Sequence, residues 1–333
     1  MTISVRTKAL VAGAVALTTV LTGCSSGSRG GSNGGSGGGS GSKTIGLAIA
    51  DQTSQFFIAA AAGVKDYAQS QGYKVNVESA DDDSGKQVNQ VNTLLTQNVG
   101  ALIYVPAGAA AAEVPVTSAN RANVPVVTID RQPSPSSKLV SFIATDSVKA
   151  GNEICTELIN RIGGKGEIAI IQGQIGTTPQ VARQTGCQQA LTAHPNVKVV
   201  AQQAADWDQN KGYQVAQSML SAHPNLVGIF GQSDAMALGA VKAAQDAGKL
   251  SKVTVVGIDG FPDMFASIQK GKATATMAQQ PYQMGQQAAK DAIAAIQGKA
   301  NGIPRTQYFP APLVTKSNAA AVAAKKFYGP LGA

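Results

Sequence analysis

Asp51, Ser54, Phe56 and Phe57 follow one short apolar run, Asp130 and Arg131 close another, and Arg183, Trp207, Ser233, Asp234, Asp259 and Gln279 fall near later ones. Carboxylates and guanidinium forks offer charge-assisted partners to hydroxyls, each of which both donates and accepts. Aromatic faces cover the apolar C–H side of a ring that carries such hydroxyls. No member of the set is a nucleophile with a base beside it. The chemistry is that of binding a neutral polyhydroxyl molecule, not of cleaving one.

Enzyme signatures are missing where they would be needed. At the point where a nicotinamide-binding G-x-G-x-x-G would follow the first strand stands "IADQTSQFF" (49–57), and neither a phosphate loop G-x-x-x-x-G-K-[ST] nor a G-x-S-x-G elbow joins a strand to a helix. His194 and His223 both sit in "AHPN", a helix-ending turn, without ligands at metal-site spacing. Asp81, Asp82 and Asp83 read as a solvated turn capping the next helix, with a metal site as the lesser alternative. The chain is therefore expected to be no enzyme and to require no cofactor and no metal.

The elements that would position these residues alternate in type. "TIGLAIA" (44–50) and "YKVNVESA" (73–80) are strands around a helix over 56–72 that Gly72 ends. A helix over 85–98 places Val88, Val91, Leu94 and Leu95 on one face, and "GALIYVP" (100–106) and, after a further helix, "VPVVTID" (124–130) return to strand. A second series repeats the pattern, with strands 166–173, 197–203, 226–231 and 253–259 around helices 179–193, 210–222 and 235–247. This alternation predicts an α/β fold of parallel sheets covered by helices on both faces. The two series end alike, in "VVTID" and "VVGID", each placing an aspartate at the carboxyl edge of a sheet, where open α/β sheets bind ligands. The tail 316–333 predicts a peripheral helix before a frayed end, with no function assigned to it.

Residues 1–23 read as a secretory signal: Arg6 and Lys8, an apolar stretch from Ala9 to Val20 too short to span a membrane, then Leu21-Thr22-Gly23 before Cys24. Eighteen residues of Gly and Ser with one Arg and one Asn follow, a tether with a root-mean-square span of about 25 Å. About 290 residues remain, enough for two domains with cores of their own. The formal charge of +8 falls to +6 without Arg6 and Lys8, and its dispersed lysines form no basic run, so no nucleic-acid partner is expected. Cys155 and Cys187 lie 32 residues apart on two successive predicted helices around one strand, which predicts a disulfide in an exported chain, two buried thiols being the alternative.

"LTGC" (21–24) resembles the lipobox of bacterial lipoproteins, whose cysteine carries the lipid; a stray or buried cysteine, or secretion without lipid, is the competing reading. "QFFIAAAAGVKDYAQSQGY", "VVTIDRQ", "ADWDQNKG", "GQSDAMALGAVKAAQDAG", "VVGIDGFPD" and "TMAQQPYQMG" resemble the ribose-binding branch of the periplasmic sugar-binding proteins of ABC transporters, over about residues 43–315. The resemblance implies a type I periplasmic-binding-protein-like fold of two doubly wound parallel-sheet lobes joined by a three-segment hinge. Its lobes would comprise residues 43–145 with 280–309, and 146–279 with 310–320, leaving 1–23 as signal peptide, 24–42 as lipidated cysteine and tether, and 321–333 as tail. A sugar would lie between the lobes. Phe57 resembles the stacking aromatic of the first lobe, with Phe56 at the rim. Asp130 and Arg131 match its paired hydroxyl binders, Arg183 matches the guanidinium of the second lobe, and Trp207 matches the opposing aromatic. Asp259 and Gln279 match the carboxylate and the amide near a crossing. Structural alternatives stand beside these roles: core packing for Phe56 and Phe57, an ion pair for Asp130 with Arg131, a helix cap for Asp234, a turn cap for Asp259, and a surface plug for Trp207.

Departures from that branch concern specificity. Ser54, Val105 and Ser233 stand where ribose binders use Asn, and Ile258 where they use Phe, while Asp51 adds a candidate acceptor. A site built for hydroxyls penalises a ligand whose group it cannot satisfy, so another pentose, a hexose or a small polyol becomes as suitable as ribose. The resemblance implies a monomeric lipoprotein on the outer face of the cytoplasmic membrane that delivers its sugar to a permease with an ATPase subunit. The alternative is a sensory lipoprotein presenting ligand to a membrane receptor. A gene repressor of the same architecture would need a DNA-binding module before residue 43, where a signal and tether stand.

Overall fold

The computed structural model describes residues 42–332. The signal segment, Cys24 and the tether as far as residue 41 lie outside the described residues. Strands apolar on both faces must be buried between helix layers, and the chain makes two such assemblies. In the first lobe β1 (Thr44–Ile49), β2 (Lys74–Ser79), β3 (Ala101–Tyr104), β4 (Val126–Ile129), β5 (Ser141–Thr145) and β11 (Thr306–Phe309) form a parallel sheet in the order β11-β5-β4-β3-β1-β2. In the second, β6 (Gly166–Gln172), β7 (Val197–Ala204), β8 (Leu226–Gly231), β9 (Thr254–Asp259) and β10 (Ala275–Ala278) run parallel, with β12 (Leu313–Thr315) antiparallel on β10, in the order β12-β10-β9-β8-β6-β7.

Helices α1 (Gln55–Ser70), α2 (Ser84–Thr96), α3 (Glu113–Arg121) and α9 (Pro281–Ile296) cover the first sheet. The second carries α4 (Ser147–Arg161), α5 (Thr178–Thr192), α6 (Gln209–Ala222), α7 (Asp234–Asp246), α8 (Pro262–Gln269) and the short α10 (Ala319–Ala323). The chain thus passes from sheet to sheet after β5, after β10 and after β11.

Helix starts are fixed by side chains that satisfy amides left over in a first turn. Asp83, Asp146 and Asp208 accept from the backbone N of Lys86 (2.9 Å), Lys149 (3.0 Å) and Lys211 (2.7 Å). Close helix pairs then set where the site residues stand. On α1 and α9, a Cβ at Gly63 would lie 2.0 Å from the Tyr282 carbonyl oxygen and one at Gly285 2.0 Å from that of Ala60. On α4 and α5, Gly151 and Gly186 allow the same approach, the former beside the backbone of Arg183. Cys155 of α4 and Cys187 of α5, both buried, are joined by a disulfide in that seam.

Two expectations need correction. The tail is neither peripheral nor uniformly helical: only Ala319–Ala323 is α-helical, and Tyr328 beyond it is 3 % exposed, because its ring packs edge-on to Phe261 and its hydroxyl reaches the Asp259 carbonyl. The cap of α7 is Ser233, whose hydroxyl oxygen accepts from Met236 N, and not Asp234. Asp234 is wholly buried in the first turn, where its carboxylate takes bonds from Gly260 N, Phe261 N and the Thr276 hydroxyl. A carboxylate already holding three donors has no need to cap its own helix.

Replacing Cys155 and Cys187 together by Ala is expected to lower unfolding free energy by about 3 kcal/mol, the chain-entropy value for a loop of this size. Urea denaturation of the variant and the parent checks this.

Candidate ligand-binding site

Between the carboxyl ends of the two sheets lies a cavity of about 290 Å³. The structure brings Asp51, Ser54, Phe56, Phe57, Asp130, Arg131, Arg183, Trp207, Ser233, Asp259 and Gln279 to its wall together.

On the first lobe the turn after β1 is built by Asp51, whose Oδ1 accepts from Ser54 N (2.6 Å), Thr53 N (2.7 Å) and the Thr53 hydroxyl (2.9 Å). Its carboxylate is thereby engaged in shaping the turn that starts α1. Ser54, at the cap position, makes no side-chain cap bond. Phe56 and Phe57 meet edge to face at 5.5 Å and belong at once to the core and to the cavity wall. Arg131 lies over the Phe57 ring, its guanidinium carbon 5.2 Å from the centroid, and donates from Nη1 to the carbonyls of Pro106 (2.9 Å) and Ala107 (2.8 Å). Its carboxylate neighbours are Asp82 at 3.8 Å and Asp130 at 4.0 Å.

The second lobe repeats the arrangement. Arg183 on α5 lies over Trp207 at 5.4 Å, donates to the Gln232 carbonyl and stands 3.6 Å from Asp259. Gln279 Nε2 donates to the same Asp259 oxygen at 2.8 Å, and Asp234 N donates to the other at 3.1 Å. The indole rests on Gly173, where a Cβ would come within 2.0 Å of the ring, so only glycine leaves room for it. Trp207 Nε1, Arg131 Nε, Arg183 Nε and Gln279 Oε1 have no hydrogen-bond partner within the protein.

Asp82, Asp130, Asp206, Trp207 and Asp259 all hold positive φ. Such conformations cost about 1–3 kcal/mol each and persist where surrounding contacts over-determine them, as at ligand clamps. Burial raises the Asp130 carboxyl above its ordinary range against the pull of Arg183 and Arg131. Asp234 and Asp259, buried and close together, are both raised, Asp234 further by its neighbour's charge, while Arg183 restrains Asp259.

Other lining residues went unselected in the sequence, among them Thr53, Gln55, Asp82, Asp206, Asp208, Gln209 and Phe261. Asp82 departs from its reading as part of a solvated turn: Asp83 caps α2, while Asp82 turns toward Arg131 with its side chain 43 % exposed. Its position just past the end of β2 was the available signal. Asp206 and Asp208 flank Trp207 in "ADWD". Val105 and Ile258, two of the departing positions, are buried and do not line the cavity. Among the described residues no group of three or more His, Cys, Asp or Glu could hold a metal ion, and no helix is long and apolar enough to cross a membrane.

Two lobes facing across one polar and aromatic cavity define a class of solute-binding protein, and the comparisons agree. A sequence model of the periplasmic binding protein domain matches residues 45–300. The ribose import binding protein RbsB of Escherichia coli is 38% identical over 257 residues, 77% of this chain and 86% of that protein. RbsB of Bacillus subtilis is 36% identical over 256 residues, 77% and 82% of the two chains. The crystal structure of an ABC transporter solute-binding protein from Bacillus halodurans with bound myo-inositol superposes with a TM-score of 0.81 at 28% identity, covering 86% of this chain and 99% of that one. The chain belongs to the type I periplasmic binding proteins, in the RbsB-like group of sugar-binding ABC transporter components. It is accordingly a non-catalytic, extracytoplasmic protein that binds a sugar or polyol.

The Asp82 carboxyl is raised from 3.8 to about 6, by burial first and by the charges of Asp51, Asp81 and Asp206 after it, with Arg131 opposing. Between those two values the folded chain holds a proton that the unfolded chain has released, so stability falls as pH rises through that window. Asp82→Asn is expected to raise the melting temperature at pH 7.5 and to leave it unchanged at pH 4. Thermal unfolding at the two pH values checks the sign.

Proposed function

We propose that the cavity captures one monosaccharide or small polyol, a pentose, hexose or C4–C6 polyol, and that the closed protein delivers it to the permease of an ABC importer whose ATPase subunit drives release. The observation that carries this reading is the doubled constellation of aromatic, guanidinium and carboxylate, Phe57–Arg131–Asp130 on one wall and Trp207–Arg183–Asp259 on the other. Two aromatic faces suit the two sides of a small ring. The unpartnered atoms of Trp207, Arg183, Arg131 and Gln279 match groups that donate and accept in turn.

The departures from ribose binders support a broader ligand range. Val105 and Ile258 are withdrawn into the core, and Ser233 Oγ already accepts from Met236 N, which leaves its hydroxyl proton as the free group. Ser54 then offers one short hydroxyl where an amide would reach further. The similar proteins cover both chemistries, ribose in one case and myo-inositol in the other.

Calorimetric titration with pentoses, hexoses and C4–C6 polyols tests this reading. One or more is expected to bind saturably, and Asp130→Ala to weaken that binding by about 2 kcal/mol or more, since it leaves a buried guanidinium short of a partner. Absence of binding across the whole panel would sink the small-sugar reading.

The anchoring scheme belongs to the same proposal. We infer that residues 1–23 are removed, that Cys24 carries lipid, and that residues 25–42 tether a monomeric two-lobed domain near its permease. The lobes would take residues 43–145 with 280–309 and 146–279 with 310–320. Sheet membership supports that division, since β11 joins the first sheet and β12 the second. Cys24→Ser is expected to move the protein from the detergent phase to the aqueous phase in a detergent partition of expressing cells; an unchanged distribution would remove the lipid from the scheme.

A further inference from the structure

The segment after β12 does more than end the chain. It starts on the second lobe, where α10 packs against α8 and β12. Tyr328 then inserts beneath the cavity floor: its hydroxyl donates to the Asp259 carbonyl at 3.0 Å, and its ring meets Phe261 edge to face at 5.6 Å. Both Asp259 and Phe261 line the cavity. From there the segment passes to the first lobe. Tyr282 N, in the first turn of α9, donates to the Phe327 carbonyl at 3.2 Å. Gly329, at φ 59°, lies so close to the Tyr282 ring that a Cβ would come within 2.4 Å of it. The final turn, Gly329–Gly332, packs on α1, to which the Tyr282 hydroxyl is also bonded through Asp66 at 2.8 Å.

Asp259 explains why such a support is needed. Its φ of 151° is unfavourable for a side chain with a Cβ, so its peptide must be held from outside. Two donors converge on its carbonyl, Gln279 N at 2.8 Å and the Tyr328 hydroxyl. Gln279 immediately precedes the crossing to α9, and Tyr328 comes from the segment that returns along it. The carboxylate that faces Arg183 is thus aimed by a peptide whose second anchor belongs to the tail.

We propose that Tyr328 is a positioning residue of the ligand site, and that residues 319–332 form a strap tying the second-lobe floor of the cavity to the first lobe. Building on the sugar-binding reading, the strap holds Asp259 in its ligand-facing conformation and resists separation of the lobes, so that bound ligand leaves slowly.

Tyr328→Phe in the full-length chain tests this, because it keeps the ring on Phe261 and removes only the bond to Asp259; Tyr328→Ala removes both. In the ligand-free protein, hydrogen exchange at the Gly260 and Phe261 amides is expected to quicken in both variants, more in Tyr328→Ala. With whichever of D-ribose, xylitol and myo-inositol binds the parent, dissociation followed by the fluorescence of Trp207, the single tryptophan, is expected to accelerate ~3- to 10-fold in Tyr328→Phe, the range for loss of one buried hydrogen bond. A residue that merely stabilised the fold would lower the melting temperature and leave that rate alone. Parental exchange and parental dissociation in Tyr328→Phe would overturn the proposal. If none of the three ligands binds the parent, the choice of sugar fails separately, and the ligand-free exchange measurement still decides whether the strap holds the Asp259 peptide.

Discussion

Arg131 and Arg183 are each 3 % exposed on opposing walls of one cavity, and a guanidinium taken out of water needs partners good enough to offset its lost hydration. Those partners dictate much of the surrounding backbone. The carbonyls of Pro106 and Ala107 after β3, and that of Gln232 after β8, must point inward to accept from them. Asp130 after β4 and Asp259 at the end of β9 must bend into positive φ to bring a carboxylate alongside. Each carboxylate shares the burial of its arginine, and both are raised above their ordinary range in consequence. The sheets exist to hold these strand ends at one edge, and the glycine contacts between helices let α1 and α5 bring Phe57 and Arg183 close enough to complete each wall.

Legibility in the sequence followed the length and symmetry of the signal. Long apolar strands of a parallel sheet announce themselves, as "TIGLAI" and "GEIAIIQ" do, because both of their faces are buried. Strands of three or four residues carry too few positions for a period to register. Thr306–Phe309 and Leu313–Thr315, which lie on opposite sides of the last passage between sheets, are of that kind. Periodicity alone therefore suggests two consecutive halves, whereas α9 and β11 return to the first sheet. That exchange became readable only through resemblance of spaced motifs, since no local propensity encodes which sheet a helix returns to.

Side-chain roles were legible in type and less so in partner. Aspartates at strand ends belong to the cavity, but three neighbours in "DDD" split into different tasks: Asp81 pairs with Lys86, Asp83 caps α2, and Asp82 faces Arg131. Ser233 and Asp234 exchanged their expected parts because a serine suffices to cap, whereas a loop of two amides and a threonine hydroxyl needs the stronger acceptor. Tyr328 could not be assigned from its surroundings in sequence. "AAAVAAKKFYGPLGA" has the composition of a frayed end, and only a contact spanning 69 positions makes its tyrosine part of the site.

The contacts that cross directly between the lobes at the cleft are few and polar. Gln132 N donates to the Thr178 hydroxyl at 3.0 Å, while Arg131 reaches Gln174 and Gln55 reaches Asp263 at 3.4 Å each. Bonds of this kind, partly open to water, exchange readily for water and contribute little net bias toward closure. A solute that engages Arg131 on one wall and Arg183 on the other supplies the missing difference, because its contacts on both walls exist together only in the closed arrangement. Its differential affinity for that arrangement sets how far the population shifts. Stronger direct contacts would close the protein without a ligand, and a partner that recognises the closed shape would then dock an empty carrier. Weak seams with strongly built walls keep closure conditional on the cargo.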